Sequence, residues 1–154
     1  MPVVFDDTSF PLVEIRFEPP VCEGDIDIFC EKMRALAHGG RRYASVFDTH
    51  GVLDIDPQQR RRMTALQLEL AAASARVVVV ACVAFSNQLT RGVVTAINWS
   101  SPPSFPQRSF DSVAEARAYA VARLRAEGLE VTAASPSAQG VNAPQKKEAR
   151  DGPP

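Results

Sequence analysis

The sequence predicts an α/β fold, a mixed sheet of about five strands in the order ββαβαβαβα with helices mainly on one face. Three observations carry that expectation. The longest apolar run, Val77 to Phe85, has the length of a buried strand and is dominated by β-branched valine, which suits a pleated surface better than a helix. On either side of it, stretches with apolar residues near a 3.6 period alternate with short runs of strand character. Helices alternating with strands imply parallel pairing through right-handed crossovers, here after an initial antiparallel hairpin.

The hairpin is read from Val3-Val4-Phe5 and Leu12 to Phe17 flanking the turn formers Asp6-Asp7-Thr8-Ser9, with Val13, Ile15 and Phe17 facing the core. Pro19-Pro20 stops the second strand, since proline cannot donate to a ladder. A first helix follows, with Gly24 or Asp25 as cap, Phe29, Met33, Leu36 and Ala37 on its apolar side, and Gly39-Gly40 as its end. His38 sits in the last turn, where an imidazolium favours the helix dipole.

Tyr43 to Phe47 makes the third strand and opens into Asp48-Thr49-His50-Gly51. The second helix has a strong start signal: Asp56 as N-cap, Pro57 at the first position and Gln59 completing a capping box. Met63, Leu66 and Leu70 form its buried stripe, continued by Ala73. After the valine strand, Ser86-Asn87 caps a third, short helix whose stripe is Leu89, Val93 and Ile97. A loop from Ser100 to Pro106 leads to a brief edge strand, Gln107 to Phe110. Ser112 and Glu115 form a second capping-box pair, opening a fourth helix over Val113, Ala116, Ala120 and Leu124 that ends at Gly128.

The totals bound the function. A chain of 154 residues holds one domain of ordinary size, and 45% hydrophobic with 23% charged residues is globular composition. The expected domain is 1–131; from Thr132 the composition turns to Ala, Ser, Pro, Gln and charges, so 132–154 is expected to be a disordered tail. A net charge of -1 with interspersed signs gives no electrostatic footprint for nucleic acid. No apolar run approaches the ~20 residues that cross a bilayer, and no signal segment opens the chain, which predicts no transmembrane segment and a cytoplasmic location. Cys22, Cys30 and Cys82 fit no zinc spacing and no disulfide framework, and are expected to be reduced. No phosphate-loop or dinucleotide glycine pattern is present, two histidines with scattered acids make no metal constellation, and no cofactor is implied.

Tyr43-Ala44-Ser45-Val46-Phe47-Asp48, Pro57 to Arg60, Val83-Ala84-Phe85, Arg91 to Ile97, Trp99, Pro102-Pro103, Phe110 and Ala116 form a pattern that resembles the STAS superfamily, the fold of bacterial anti-sigma-factor antagonists, and an uncharacterised bacterial group related to them. The resemblance implies the same element order and a regulatory module that docks on a protein kinase or similar regulator. In that family an acid, two hydroxyl residues and a glycine precede the second helix, and one hydroxyl is phosphorylated. This chain reads Asp54-Ile55-Asp56-Pro57 there, without a hydroxyl, so Asp56 is read as a cap.

Ligands of open α/β sheets collect beyond the carboxyl ends of the strands. The candidate partner-binding residues are therefore Asp48, Thr49 and His50 after the third strand, Ser86 and Asn87 after the fourth, and Arg60 and Arg91 on the adjoining helices. Arg60-Arg61-Arg62 is a potential clamp for an anion, though three consecutive positions fan around a helix. The leading expectation is a non-enzymatic regulatory or scaffolding module for a protein partner, compatible with a homodimer. Alternatives are a carrier of lipid or a small apolar ligand, an anionic ligand at the arginines, and a small hydrolase using His50 with Thr49 or Ser86 and Asp48. Trp99 is expected to pack over the sheet edge and close the core; the alternative is that Trp99, Phe105 and the prolines between them mark an interaction surface.

Overall fold

A computed structural model describes residues 3–49, 56–85 and 87–131. Strand β1 (Val3–Asp6) turns back through Asp7–Pro11 into β2 (Leu12–Phe17), antiparallel, with Val3 opposite Phe17 and Asp6 opposite Glu14. The turn is held by Asp6, whose carboxylate accepts from the Thr8 hydroxyl at 2.6 Å and the Thr8 amide at 3.0 Å. Those donors keep the Asp6 carboxyl below the usual carboxylate range.

Three further strands, β3 (Tyr43–Asp48), β4 (Val78–Ala84) and β5 (Gln107–Phe110), add in parallel, giving a five-stranded mixed sheet in the order β1-β2-β3-β4-β5. Order in the sheet equals order in the chain. Each crossover therefore steps one strand in the same direction, and crossovers of one hand keep the connecting helices on one face. Helices α1 (Glu23–His38), α2 (Pro57–Glu69), α3 (Ala71–Val77) and α4 (Gln88–Ser100) lie on that face. Helix α5 (Val113–Ala126) follows the last strand and covers the other.

Alternation along the strands supplies a core to each face. Val13, Ile15, Phe17 and Tyr43 point toward Ile26, Phe29, Leu66 and Leu70, all buried. On the opposite side Leu12, Ala44, Val46, Val80, Cys82 and Ala84 meet Ala116, Ala120 and Leu124, each 0% exposed; their four-residue spacing gives α5 a buried stripe, and the two alanines allow close approach. A register shift opposite Tyr43-Ala44, which pair with Val78 and Val80, lets Val79 join the second core.

Several local expectations are corrected. The second helix does not run through Ala73: Leu70 takes φ -93, ψ 1, the bridge region, and the helix restarts as α3. Five helices result among the described residues, where four were expected. The cap of α1 is Cys22, not Gly24 or Asp25; Asp25 is the third residue of the helix and accepts from the Cys22 amide at 2.7 Å. Ser112 caps α5 by accepting from the Glu115 amide, but no return bond from the Glu115 side chain completes the box. The helix ends match their glycines: Gly40 and Gly128 have φ of 71 and 73, and Leu129 donates back to the Leu124 carbonyl across the α5 terminus.

Helix α4 departs most from its expected stripe. It runs 13 residues and turns Thr90, Val93 and Ile97 inward while Leu89 is 72% exposed. Trp99 is inside this helix and 83% exposed, so it does not close the core; two positions on from Ile97, it falls on the side away from the sheet. Phe105 performs that packing instead, against the α1–α2 side. Segment 132–154, His50 and Ser86 lie outside the described residues, and no helix among those described is long and apolar enough to cross a membrane.

Candidate functional site

Strands β3 and β4 pair through to their carboxyl ends, Asp48 level with Ala84, so Thr49 and Phe85 leave the sheet side by side. What the structure does with the candidate residues there is divided. Thr49 is 0% exposed; its hydroxyl donates to the Ala84 carbonyl at 2.6 Å and its amide to the same oxygen at 3.2 Å. A hydroxyl held that way, without solvent, serves the sheet and is not placed to attack a substrate. Asp48 lies on the opposite face, in a small depression beside Asp6, Glu14, Arg16 and Arg117 of the α5 side. Arg117 pairs there with Glu14.

The basic run on α2 also separates. Arg62 reaches across to Glu23 and Asp27 on α1, and Arg61 donates to the Pro57 carbonyl of its own helix at 3.3 Å. Arg60 is half-buried, and its Nε is buried without a hydrogen bond among the described residues. The run therefore ties helices together and forms no three-pronged anion clamp.

Asn87 and Arg91 are brought together. The Asn87 side chain accepts from the Thr90 amide at 2.9 Å and the Thr90 hydroxyl at 3.0 Å, starting α4 at the sheet edge. One turn on, the Arg91 guanidinium stands 5.0 Å from the centre of the Phe85 ring and 3.6 Å from the Asp111 carboxylate. Phe85, Asn87, Gln88, Arg91 and Asp111 line an open depression of about 260 Å³. Asp48, Thr49 and Arg60 do not reach it.

Sequence reasoning missed Phe85, Gln88 and Asp111. Phe85 and Asp111 directly follow β4 and β5, where Ala84 is level with Phe110 and the Phe85 amide donates to the Phe110 carbonyl at 2.9 Å.

A second hollow, apolar and about 100 Å³, lies between α1, α2 and α4, bounded by Phe29, Met33, Met63, Leu66, Ile97 and Phe105. Among the described residues no group of three metal-ligating side chains is found, and all three cysteines are free. Burial pushes the Cys82 thiol up to about 11 and raises that of Cys30 as well, the reverse of what a reactive thiolate needs. Comparison with family models, with curated proteins and with solved structures finds no match for this chain.

Proposed function

We propose that this chain is a non-enzymatic regulatory or scaffolding module that binds a protein partner at the carboxyl edge of its sheet, with Arg91 receiving an acidic group of that partner. The observation that carries this is the setting of Arg91. Its guanidinium is held over an aromatic face, a contact worth about 0.5–1 kcal/mol at an exposed site, and its ion pair is with a carboxylate whose side chain is 91% exposed. Such an exposed pair contributes roughly 0–1 kcal/mol, so an incoming carboxylate can replace Asp111 at little cost. The site is shallow and open, which suits a protein surface better than a reacting small molecule, and the nearby hydroxyl of Thr49 is already committed to the backbone.

The element order that resembles the STAS superfamily, and its implied docking on a regulator, supports the same reading. Carriage of a lipid is less well supported: the apolar hollow of about 100 Å³ is well below the roughly 300–1,000 Å³ of typical ligand sites.

Photo-crosslinking in the native host tests this, with a photoreactive residue at Gln88 and, as control, at Arg125. A partner is expected from Gln88 alone, reduced at least tenfold by Arg91→Ala and partly retained by Arg91→Lys, which keeps charge but loses the planar fork. Equal capture from both positions, or full retention by Arg91→Ala, overturns it.

A further inference from the structure

We propose that the outer face of α4 is a self-association surface, on which a second copy of this chain docks its own α4 antiparallel about a two-fold axis. Among the described residues three large apolar side chains are exposed, Leu68 at 60%, Leu89 at 72% and Trp99 at 83%. Two are on α4, and the third is on α2, whose Gln67 is bonded to the Ser101 carbonyl at the end of α4. Steps of three and four residues align Leu89, Gly92, Ala96 and Trp99 along one side of the helix. None of them is charged. Arg91, the one charged residue of α4, points instead to Phe85 and Asp111.

Gly92 indicates what approaches. Glycine inside a helix costs about 1 kcal/mol relative to alanine, yet a Cβ at this position would meet nothing within 4 Å. No contact within the described fold asks for glycine there; a backbone approaching from outside would. The stripe also reads alike in both directions, with small residues Gly92 and Ala96 flanking Val94 symmetrically and large residues Leu89 and Trp99 symmetrically beyond them. Antiparallel two-fold pairing then sets Leu89 against the partner's Trp99 and Gly92 against the partner's Ala96, the self-complementarity an isologous interface requires.

The area is sufficient. Trp99, Leu89 and Leu68 together expose on the order of 400 Å² of side chain, within the roughly 300–600 Å² of the largest apolar patches of single chains, which are often functional. With Gly92 and Ala96 between them, two copies have about 1,000 Å² to bury, the lower bound for specific association. A lipid surface fits less well, because helices that lie in membrane interfaces carry several Lys or Arg on the polar side and α4 has only Arg91.

Trp99 is the sole tryptophan, so its emission reports the interface directly. Sedimentation velocity on the full chain from about 1 to about 300 μM, with fluorescence in parallel, is expected to show a monomer–dimer equilibrium and a blue shift of Trp99 on concentration. Ala96→Glu and Trp99→Glu are expected to raise the dissociation constant at least tenfold with unchanged circular dichroism. In a Cys22→Ser background, chains carrying Gly92→Cys mixed with chains carrying Ala96→Cys should form a disulfide-linked pair under mild oxidation, while Leu89→Cys alone should not. A monomer throughout, a dimer unaffected by both glutamates, crosslinking of Leu89→Cys to itself, or a Trp99 shift seen only on phosphatidylcholine–phosphatidylglycerol vesicles would each overturn the proposal.

Discussion

The Thr49 hydroxyl and the Ala84 carbonyl meet at 2.6 Å across two parallel strands, in a place solvent does not reach. This bond closes the β3–β4 edge just where the chain leaves the sheet. Replacing Thr49 by Val keeps the shape and removes the donor, while the Thr49 amide still serves the carbonyl. A loss of about 1 kcal/mol is expected in urea unfolding, with Thr49→Ser nearer to wild type. Partner capture at Arg91 should be unchanged by either; a loss of capture without a loss of stability would return Thr49 to the binding surface.

Asp56 and Gln59 satisfy each other's amides, at 2.8 Å from the Gln59 amide to the Asp56 carboxylate and 3.0 Å in return. Asp56→Ala is expected to cost roughly 0.5–2 kcal/mol, and Asp56→Ser or Asp56→Asn much less, because each retains an acceptor at the cap. If Asp56 instead stood for the phosphorylated hydroxyl of the antagonist family, Asp56→Ser would alter partner binding while leaving the midpoint of unfolding near wild type.

Tyr43, 1% exposed, has its phenol pushed up to about 12 by burial, from 10.0. The folded state thus holds its proton more tightly than the unfolded chain, and this contribution is complete below pH 10 and is lost as pH rises toward 12. Cys82, raised from 9.0 to about 11 by burial, adds a loss of the same sign beginning lower. Stability measured by urea should fall between pH 9 and pH 12, and Tyr43→Phe should flatten the upper part of that slope while abolishing the later phenolate step in absorbance at 295 nm. An unchanged slope in Tyr43→Phe would show that this phenol titrates elsewhere.

Where local chemistry dominates, the sequence was a good guide. Val13, Ile15 and Phe17 face the core as their alternation requires, Asp56, Pro57 and Gln59 begin α2, and Gln107–Phe110 is a short edge strand. Errors arose where a residue has two plausible settings separated only by tertiary contacts. Leu89 and Trp99 have the hydrophobicity of core residues, and the spacing of Leu89 from Val93 and Ile97 suits a buried stripe; only the angle at which α4 lies on the sheet turns Thr90 inward in place of Leu89. Thr49 and Asp48 are adjacent in sequence, yet pleating sends the Asp48 side chain to the α5 side. Asp111 was missed because its partner Arg91 comes from a different crossover, a pairing that requires knowing β4 and β5 are neighbours.

The identity of sheet order and chain order bears on biosynthesis. As the polypeptide emerges from the ribosome, each new strand can join an edge that already exists, and each crossover helix can roof the first face without waiting for distant sequence. The other face has no such provision. Leu12, Ala44, Val46, Val80, Cys82 and Ala84 remain bare until Ala116, Ala120 and Leu124 arrive at the end of the domain. A nascent chain halted between Phe110 and Leu124 would present a broad oily sheet to its surroundings, and it is in that interval that chaperone protection matters most.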